Sequence, residues 1–277
     1  MAQIRKACVI GWPAGHSRSP LIHNYWIRQH GIAGEYVAEA VPPEQFAGFV
    51  KALASRGFVG ANVTIPHKEA ALRLSAPDDR AYAVGAANTL WFEGGRLRST
   101  NTDVEGFLEN LDAAAPGWDA AAEAVVLGAG GSARAVVFGL IERGIKRIHV
   151  INRTPERAQA LRVRFGETVR PASTSDLASL LSTAGLLVNT TSLGMRGQPP
   201  LEIDLRALRR GAAVADLVYL PLATALLEAA RTQAHPVADG LGMLLHQAVR
   251  GFSLWFGVRP QITTELRALV EADLAKT

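Results

Sequence analysis

The residues best suited to chemistry lie in one short stretch, Asn62-Val63-Thr64-Ile65-Pro66-His67-Lys68, where an amide, a hydroxyl and an amine follow an apolar run. Only five of the 29 basic residues are lysines, so Lys68 stands out in a chain that prefers arginine. Burial and neighbouring groups can tune the pKa of a lysine amine across the working pH, which suits such a residue to proton transfer. An ordinary surface lysine is the alternative interpretation.

The elements around this stretch predict that it lies at the edge of an α/β sheet, where strands end. Residues 57–61 predict a short buried strand, and Pro66 ends any strand pairing, so the polar residues should lie at the carboxyl end of the strand, where ligands bind in open α/β sheets. A strand at 7–11 and a Gly/Pro/Ser-rich loop precede a helix expected from Pro20 to about His30. Ser17 and Ser19, on alternate positions of an extended segment before that helix, predict a carboxylate site, and a helix-capping serine is the alternative.

Two further polar residues follow downstream. Asn88 lies in a small-residue turn at 83–90, and Gly94-Gly95 predicts a hairpin between strands at 90–93 and 96–100. The hairpin leads to Asp103 just before a helix over 104–114. This Asp is either an ordinary N-cap or a functional carboxylate. Residues 113–122, rich in Ala, Pro and Gly, predict a linker to a second unit.

The second unit begins with a dinucleotide-binding pattern. The apolar run 124–127 is followed by G-x-G-x-x-A at 128–133, then by a helix to about Arg143 and a strand at 147–151. These glycines let a pyrophosphate approach backbone N–H groups at the helix start, and a glycine turn used only in packing is the alternative. Where NAD-binding chains carry an acid, this chain has Asn152-Arg153-Thr154-Pro155-Glu156-Arg157. Guanidinium groups there predict a bound 2′-phosphate, and hence NADP, although Thr154 and Pro155 also suit a helix start.

The remainder of the second unit extends a parallel, doubly wound sheet. Strands are predicted at 186–191 and 213–216, with a last one near 236–238. We expect a nicotinamide crevice at their carboxyl ends, near residues 190–195 and 217–219. A long apolar helix then runs to Phe256, with Gln247 either functional or facing solvent and His246 structural.

The composition predicts a two-domain globular protein and argues against several other classes of protein. With 277 residues and 48% hydrophobic residues, two domains are expected. The net charge of +4 is scattered along the chain, which argues against a nucleic-acid-binding face. Cys8 is the only cysteine, so a disulfide or Cys-based metal site is not expected and a reducing, cytoplasmic compartment fits. No metal site, secretory leader or membrane span is predicted.

Taken together, the motifs strongly resemble the shikimate dehydrogenase family over essentially the whole chain. The matching segments, in the family's order, are GWPAGHSRSPLIHN (11–24), NVTIPHK (62–68), GAANTL (85–90), NTDVEGF (101–107), the glycine loop, NRT (152–154) and DGLGMLLHQA (239–248). The resemblance implies an N-terminal α/β substrate domain, residues 1–103 and 240–277, with a doubly wound Rossmann-type NADP domain, residues 104–239, inserted in it.

The resemblance also implies roles for individual residues. Lys68 and Asp103 would form the catalytic pair, and the titratable ring of His67 could modulate the lysine. The substrate carboxylate would be held by Ser17, Ser19 and Tyr219, and its hydroxyls by Thr64, Asn88, Asp103 and Gln247. The cofactor would contact Asp79, Gly128, Ala129, Gly130, Gly131, Ser132, Ala133, Asn152, Arg153, Thr154, Arg157, Leu217 and Gly240.

The implied reaction is the reversible NADPH-dependent reduction of 3-dehydroshikimate to shikimate. A quinate/shikimate or aminoshikimate-type dehydrogenase would keep the same Lys68–Asp103 pair and differ in substrate or cofactor choice. A non-catalytic NADP-binding sensor is the alternative from a different class of protein. We expect a monomer or a homodimer with a small-molecule substrate and no membrane or nucleic-acid partner.

Overall fold

A computed structural model describes residues 4–276, and the chain divides into two compact units. The first comprises residues 1–102 together with 247–277, and the second comprises residues 103–246. The expected α/β fold class is confirmed, since both units contain a six-stranded sheet with helices.

The first unit begins with ten elements. They are β1 (Arg5–Gly11), α1 (Ser19–Gln29), β2 (Gly34–Ala40), α2 (Pro43–Lys51), β3 (Phe58–Val63), α3 (Lys68–Arg73), β4 (Ala76–Pro77), α4 (Asp79–Val84), β5 (Thr89–Glu93) and β6 (Arg96–Thr100). The sheet order is β2-β1-β3-β5-β6-β4. Strand β1 pairs in parallel with β2 and β3, whereas β5 is antiparallel to both β3 and β6.

Strand direction gathers several chain segments at one edge of this sheet. The register pairs Ile10 with Val63 and Asn62 with Thr89, so the ends of β1 and β3 meet the start of β5. Thr89 in turn pairs with Thr100 at the end of β6. The predicted hairpin is confirmed, and both turn glycines adopt the positive φ that its tight turn requires.

The second unit has the strand order expected of a dinucleotide-binding domain. Its elements are α5 (Thr102–Ala114), β7 (Glu123–Leu127), α6 (Gly131–Glu142), β8 (Arg147–Ile151), α7 (Pro155–Phe165), β9 (Val169–Ala172), α8 (Leu177–Leu181), β10 (Leu186–Asn189), β11 (Ala213–Asp216), α9 (Ala225–Thr232) and β12 (Val237–Ala238). All strand pairs are parallel, in the order β12-β11-β10-β7-β8-β9. The order reverses between β7 and β10, which is where α/β sheets of this kind bind ligands.

Two C-terminal helices follow, α10 (Gly240–Phe256) and α11 (Thr264–Leu274). The end of α10 packs closely on the first unit's sheet, where Trp255 Nε1 donates to the Leu90 carbonyl at 2.8 Å. A Cβ on Gly60 would lie 2.1 Å from that nitrogen and 2.3 Å from the Leu90 oxygen, so this contact requires glycine. Within residues 4–276 no helix is long and apolar enough to cross a membrane.

The structure shifts several predicted boundaries. The sequence predicts a helix from Pro43 to Ser55, stopped by Gly57, but helix α2 ends at Lys51 because residues 52–56 form turns that lead to Gly57 at positive φ. Helix α5 begins at Thr102, and β10 ends at Asn189 instead of extending to Thr191. At the start of α5 a hydrogen bond from elsewhere in the chain replaces the local pattern, since the Thr102 amide donates to Asn88 Oδ1.

Candidate active site

The predicted catalytic lysine lies at the gathered edge of the first sheet. Lys68 is the first residue of α3 and is half-buried. Its carbonyl accepts the amide hydrogen of Ala87 at 3.0 Å, and the Val63 amide donates to the Asn88 carbonyl at 2.8 Å. These two bonds join the 64–68 loop to the 85–88 turn, which brings Thr64, Lys68 and Asn88 into adjacent segments.

Thr64 approaches the end of β1 closely. Its amide donates to the Ile10 carbonyl at 2.9 Å, and a Cβ on Gly11 would lie 2.5 Å from Thr64 Cγ2. Only glycine at position 11 allows this approach without a shift of the loop. The half-buried Thr64 hydroxyl is therefore carried on a segment held by two strands.

His67, the residue before the predicted catalytic lysine, is buried in the first unit. Its ring is 2% exposed, Nε2 is 2.7 Å from the Val41 carbonyl oxygen, and the ring stacks on Phe46 with centroids 4.3 Å apart. A carbonyl oxygen can only accept, so Nε2 carries the hydrogen of this bond. The ring belongs to the core, and the expectation that it modulates Lys68 has no support in this arrangement.

The two predicted carboxylate-binding serines lie together but not on an extended segment. Ser17 ends a turn in which its amide donates to the Ala14 carbonyl, Arg18 is helical, and Ser19 is the first residue of α1. The Ser19 amide donates to Ser17 Oγ at 3.2 Å, which is a local serine turn. The prediction of alternate positions in an extended segment is wrong because the helix begins one residue before Pro20.

Asn88 is a junction of hydrogen bonds. It is 3% exposed, and its Oδ1 accepts the Thr102 amide at 2.7 Å and the Thr102 hydroxyl at 3.2 Å. Asn88 thus caps α5 from outside the helix. Asp103 is the second residue of α5, so the alternative that it is the N-cap is wrong.

The other predicted substrate residues lie on different units. Gln247, on α10 in the first unit, is only 9% exposed, so the solvent-facing alternative is wrong. Tyr219 lies in the second unit and is half-buried, as is the neighbouring Leu217. His246 lies 3.2 Å from Glu109 through Nδ1 and Oε2, in agreement with a structural role. Among the described residues no cluster of three potential metal ligands is present.

The glycine loop has the geometry that a pyrophosphate needs. Gly128 has φ +100°, and a Cβ there would lie 2.6 Å from Thr190 Oγ1. Gly130 and Gly131 are exposed, and a Cβ on either would meet no described atom within 4 Å. Helix α6 starts at Gly131 without a side-chain cap from the described residues, so an anion can approach its first N–H groups, those of Gly131, Ser132 and Ala133.

The segment after β8 supports the glycine loop and presents cations. Asn152 Oδ1 accepts the Ala129 amide at 3.1 Å, and its Nδ2 donates to the Thr154 carbonyl at 2.8 Å. Arg153 and Arg157 are exposed. Thr154 occupies the N-cap position of α7, as predicted, but its side chain makes no capping hydrogen bond among the described residues. These groups fit a cofactor that carries a 2′-phosphate.

Gly240 and Asp79 are the remaining predicted cofactor residues. A Cβ on Gly240 would lie 2.4 Å from the Leu217 carbonyl oxygen, so glycine is required where α10 starts beside the 217–219 segment. Asp79 is exposed at the start of α4 in the first unit, next to Asp78, whose side chain accepts the Ala81 amide at 2.8 Å.

Sequence reasoning missed a buried acid at the end of β11. Asp216 is 1% exposed and accepts hydrogen bonds from Asn189 Nδ2 at 2.9 Å, the Val218 amide at 3.0 Å and the Thr224 hydroxyl at 2.7 Å. Burial raises the pKa of Asp216, although these three donors act to lower it. An acid inside an apolar strand ending was the available signal, and Asp216 now holds the turn that carries Leu217 and Tyr219.

Comparison with known proteins gives matches in both units of the chain. Three family models fit the chain: the shikimate dehydrogenase substrate binding domain over residues 9–90, shikimate / quinate 5-dehydrogenase over 115–194, and the shikimate 5′-dehydrogenase C-terminal domain over 240–269. A relative named shikimate dehydrogenase (NADP(+)) from Nitrobacter hamburgensis is 70% identical over 98% of this chain and 95% of its own. One of the same name from Rhodopseudomonas palustris strain BisB18 is 67% identical over 99% of both chains.

Solved structures agree at lower identity. Shikimate 5-dehydrogenase from Thermus thermophilus, in complex with NADP(H) and shikimate, is 36% identical with a TM-score of 0.83, over 98% of this chain and 99% of that one. Quinate dehydrogenase from Corynebacterium glutamicum, in complex with NAD, is 29% identical with a TM-score of 0.89, over 97% and 99%. Fold similarity alone therefore does not separate the two substrates.

Proposed function

The chain belongs to the shikimate dehydrogenase family, and we propose that it catalyses the reversible NADPH-dependent reduction of 3-dehydroshikimate to shikimate with Lys68 and Asp103 as its catalytic pair. Relatives at 66–70% identity carry the name of the NADP-dependent enzyme. The protein is thus an oxidoreductase of aromatic amino acid biosynthesis, through chorismate, and NADP(H) is its cofactor.

The observation that carries the residue assignment is the gathered edge of the first sheet. The ends of β1, β3 and β6 and the start of β5 lie there in register, and each is next to a predicted functional segment. These segments supply Ser17 and Ser19, Thr64 and Lys68, Asn88, and the start of the helix on which Asp103 lies. Four separate segments of the first unit that carry polar residues thus begin or end at one edge of the sheet, beside an apolar core, which supports the assignment.

Lys68 supplies and receives the proton of the reaction. When bound, NADPH supplies the hydride that reduces the C3 carbonyl. Negative charge then develops on the carbonyl oxygen, and the Lys68 ammonium hydrogen-bonds to that oxygen and protonates it, which yields the alcohol. In the reverse direction the Lys68 amine accepts the hydroxyl proton. Asp103 orients Lys68 and the neighbouring substrate hydroxyl.

The remaining residues bind and orient. Ser17, Ser19 and Tyr219 accommodate the substrate carboxylate, while Thr64, Asn88 and Gln247 bind its ring hydroxyls. The N-terminal amides of α6 bind the pyrophosphate, and Arg153 and Arg157 bind the 2′-phosphate. Asn152, Thr154, Leu217, Gly240 and, from the first unit, Asp79 complete the proposed cofactor contacts.

A steady-state assay tests the function directly. NADP⁺ reduction is followed with shikimate and with quinate, each also with NAD⁺. We expect shikimate with NADP⁺ to give the highest kcat/KM. A higher kcat/KM for quinate would favour the alternative that the protein is a quinate dehydrogenase, as in the similar Corynebacterium structure. If no pair of substrate and cofactor is turned over, the alternative of a non-catalytic NADP-binding sensor would be favoured.

Location and assembly complete the proposal. The single cysteine, Cys8, is fully buried in β1, as suits a protein of a reducing compartment, and we propose that the enzyme acts in the cytoplasm as a monomer or homodimer. Light scattering of the purified protein distinguishes the two assemblies.

A further inference from the structure

Within the first unit, a chain of buried polar side chains starts at Ser19. The buried Ser19 side chain lies near the Tyr36 phenol and acts to lower its pKa, and Tyr36 Oη donates to Asn62 Oδ1 at 2.7 Å. Asn62 Nδ2 then donates to Thr89 Oγ1 at 3.1 Å. All four residues are at most 5% exposed. Because water does not reach these groups, a lost partner leaves an unsatisfied polar atom.

This hydrogen-bonded series of side chains ends at Thr102, the first residue of α5. Thr89 Oγ1 donates to Asn88 Oδ1 at 3.1 Å, and the same oxygen accepts the Thr102 amide at 2.7 Å. From Tyr36 to Asn88 each side chain donates to the next one. Hydrogen bonds in such a series polarise and strengthen one another, so their effect extends along the chain.

The Tyr36 ring, which belongs to this hydrogen-bonded series, is packed between aromatic side chains. Its ring stacks on His23 with centroids 4.1 Å apart and an interplanar angle of 12°, and Trp255 lies 5.8 Å away. Burial raises the pKa of the Tyr36 phenol, which therefore keeps its hydrogen at neutral pH and stays a donor. Burial also lowers the pKa of His23 to about 3, so its ring is neutral.

We infer that Tyr36 and Asn62 are positioning residues that hold Ser19 and Asn88 at a fixed separation and set the start of the helix carrying Asp103. The inference rests on the proposed roles of Ser19, Asn88 and Asp103. A substrate with a carboxylate and ring hydroxyls on a rigid ring requires the two sets of ligands at one distance, and small misplacements are costly in rate. Neither Tyr36 nor Asn62 needs to touch the substrate to have this effect.

The test compares Tyr36→Phe with Tyr25→Phe. Both variants lose only a phenol oxygen in the first unit. Tyr25, however, does not belong to the hydrogen-bonded series of buried side chains, and its hydroxyl lies 3.4 Å from the Thr263 hydroxyl. The first readout is hydrogen exchange at the Thr102 amide, which needs no substrate. We expect about tenfold faster exchange in Tyr36→Phe and no change in Tyr25→Phe, because the altered Asn62 loosens Thr89 and Asn88.

The second readout is kinetic. In Tyr36→Phe, kcat/KM for shikimate should fall about tenfold or more, while the KM for NADP⁺ stays within about twofold of wild type, because Tyr36 belongs to the substrate unit. A merely structural loss would affect both substrates. Thr89→Val, which breaks the same chain one step further on, should give the same pattern, and the double variant should lose less than the two single losses combined.

Each result decides the question. Unchanged Thr102 exchange in both Tyr36→Phe and Thr89→Val overturns the inference, and so does faster exchange with unaltered kcat/KM for shikimate. Should Tyr36→Phe not fold, Thr89→Val is judged by the same two criteria. Wild-type protein that does not turn over shikimate contradicts the proposed function instead, while the exchange readout still shows whether the chain couples Tyr36 to Thr102.

Discussion

The Lys68 carbonyl accepts the Ala87 amide hydrogen at 3.0 Å, which joins the proposed catalytic lysine to the turn that carries Asn88. This bond is a backbone bond, so a change of the Lys68 side chain leaves it in place. Side-chain variants at position 68 therefore report on chemistry more than on folding.

Replacement of Lys68 by Met should lower kcat about 10²- to 10⁴-fold, the usual contribution of a positioned general acid, with little change in the KM for shikimate. Steady-state kinetics with saturating NADP⁺ measure both constants. The control is Lys51→Met, which removes an exposed amine at the end of α2. A Lys68→Met enzyme with near-normal kcat would remove Lys68 from the mechanism.

Arg153→Ser should raise the KM for NADP⁺ about 10- to 100-fold and leave the KM for NAD⁺ nearly unchanged, because NAD⁺ has no 2′-phosphate for a guanidinium to bind. Arg231→Ser removes an exposed arginine on α9 of the same unit and should leave both values unchanged. Equal losses for the two cofactors in Arg153→Ser would contradict the phosphate contact.

Asp216→Ala should lower the free energy of unfolding by about 2–4 kcal/mol, since it leaves Asn189, Val218 and Thr224 with buried donors and no acceptor. Glu202→Ala, at an exposed position of the same unit, should change it by less than about 0.5 kcal/mol. Urea unfolding measures both. Equal stability of the two variants would show that the Asp216 bonds contribute little.

His23→Phe should make the protein less sensitive to acid. The pKa of His23 is lowered by burial to about 3 from 6.5, so below pH 6.5 the unfolded chain takes up a proton that the folded protein does not. Stability due to this group is thus complete above pH 6.5 and falls by about 1.4 kcal/mol per pH unit toward pH 3. The aromatic Phe keeps the packing against Tyr36 and Trp26.

Unfolding free energies of His23→Phe and wild type at pH 7 and at pH 4.5 provide the measurement, with His16→Asn, a change at an exposed loop position, as control. The difference between the two pH values should shrink in His23→Phe and persist in His16→Asn. An unchanged pH dependence in His23→Phe would mean that His23 is not the buried neutral group described.

Local patterns were enough to predict the hairpin and the βαβ unit. Gly94-Gly95 and the glycine loop impose their conformations through positive φ and close approach, so neighbouring residues carry the information. The predicted segments also lie where strand direction places them, since parallel strand ends share an edge.

Sequence-based prediction fails where residues distant in the sequence determine a helix boundary or a buried hydrogen bond. Asp103 is of a residue type that commonly caps helices, yet α5 starts at Thr102 because Asn88, far back in the chain, supplies the acceptor. Tyr36 looks like an ordinary alternating strand residue, and nothing local indicates its bond to Asn62. Long-range partners of this kind cannot be read from spacing, and neither can the burial of Gln247.

The bond from Trp255 to the Leu90 carbonyl has a consequence for biosynthesis of the chain. Residues 103–246 form a unit of their own and emerge from the ribosome before residues 247–277. The dinucleotide-binding unit can therefore fold while the substrate unit still lacks α11 and most of α10. Until Trp255 arrives, the Leu90 carbonyl lacks this donor and the sheet face at Gly60 lacks the indole that packs on it.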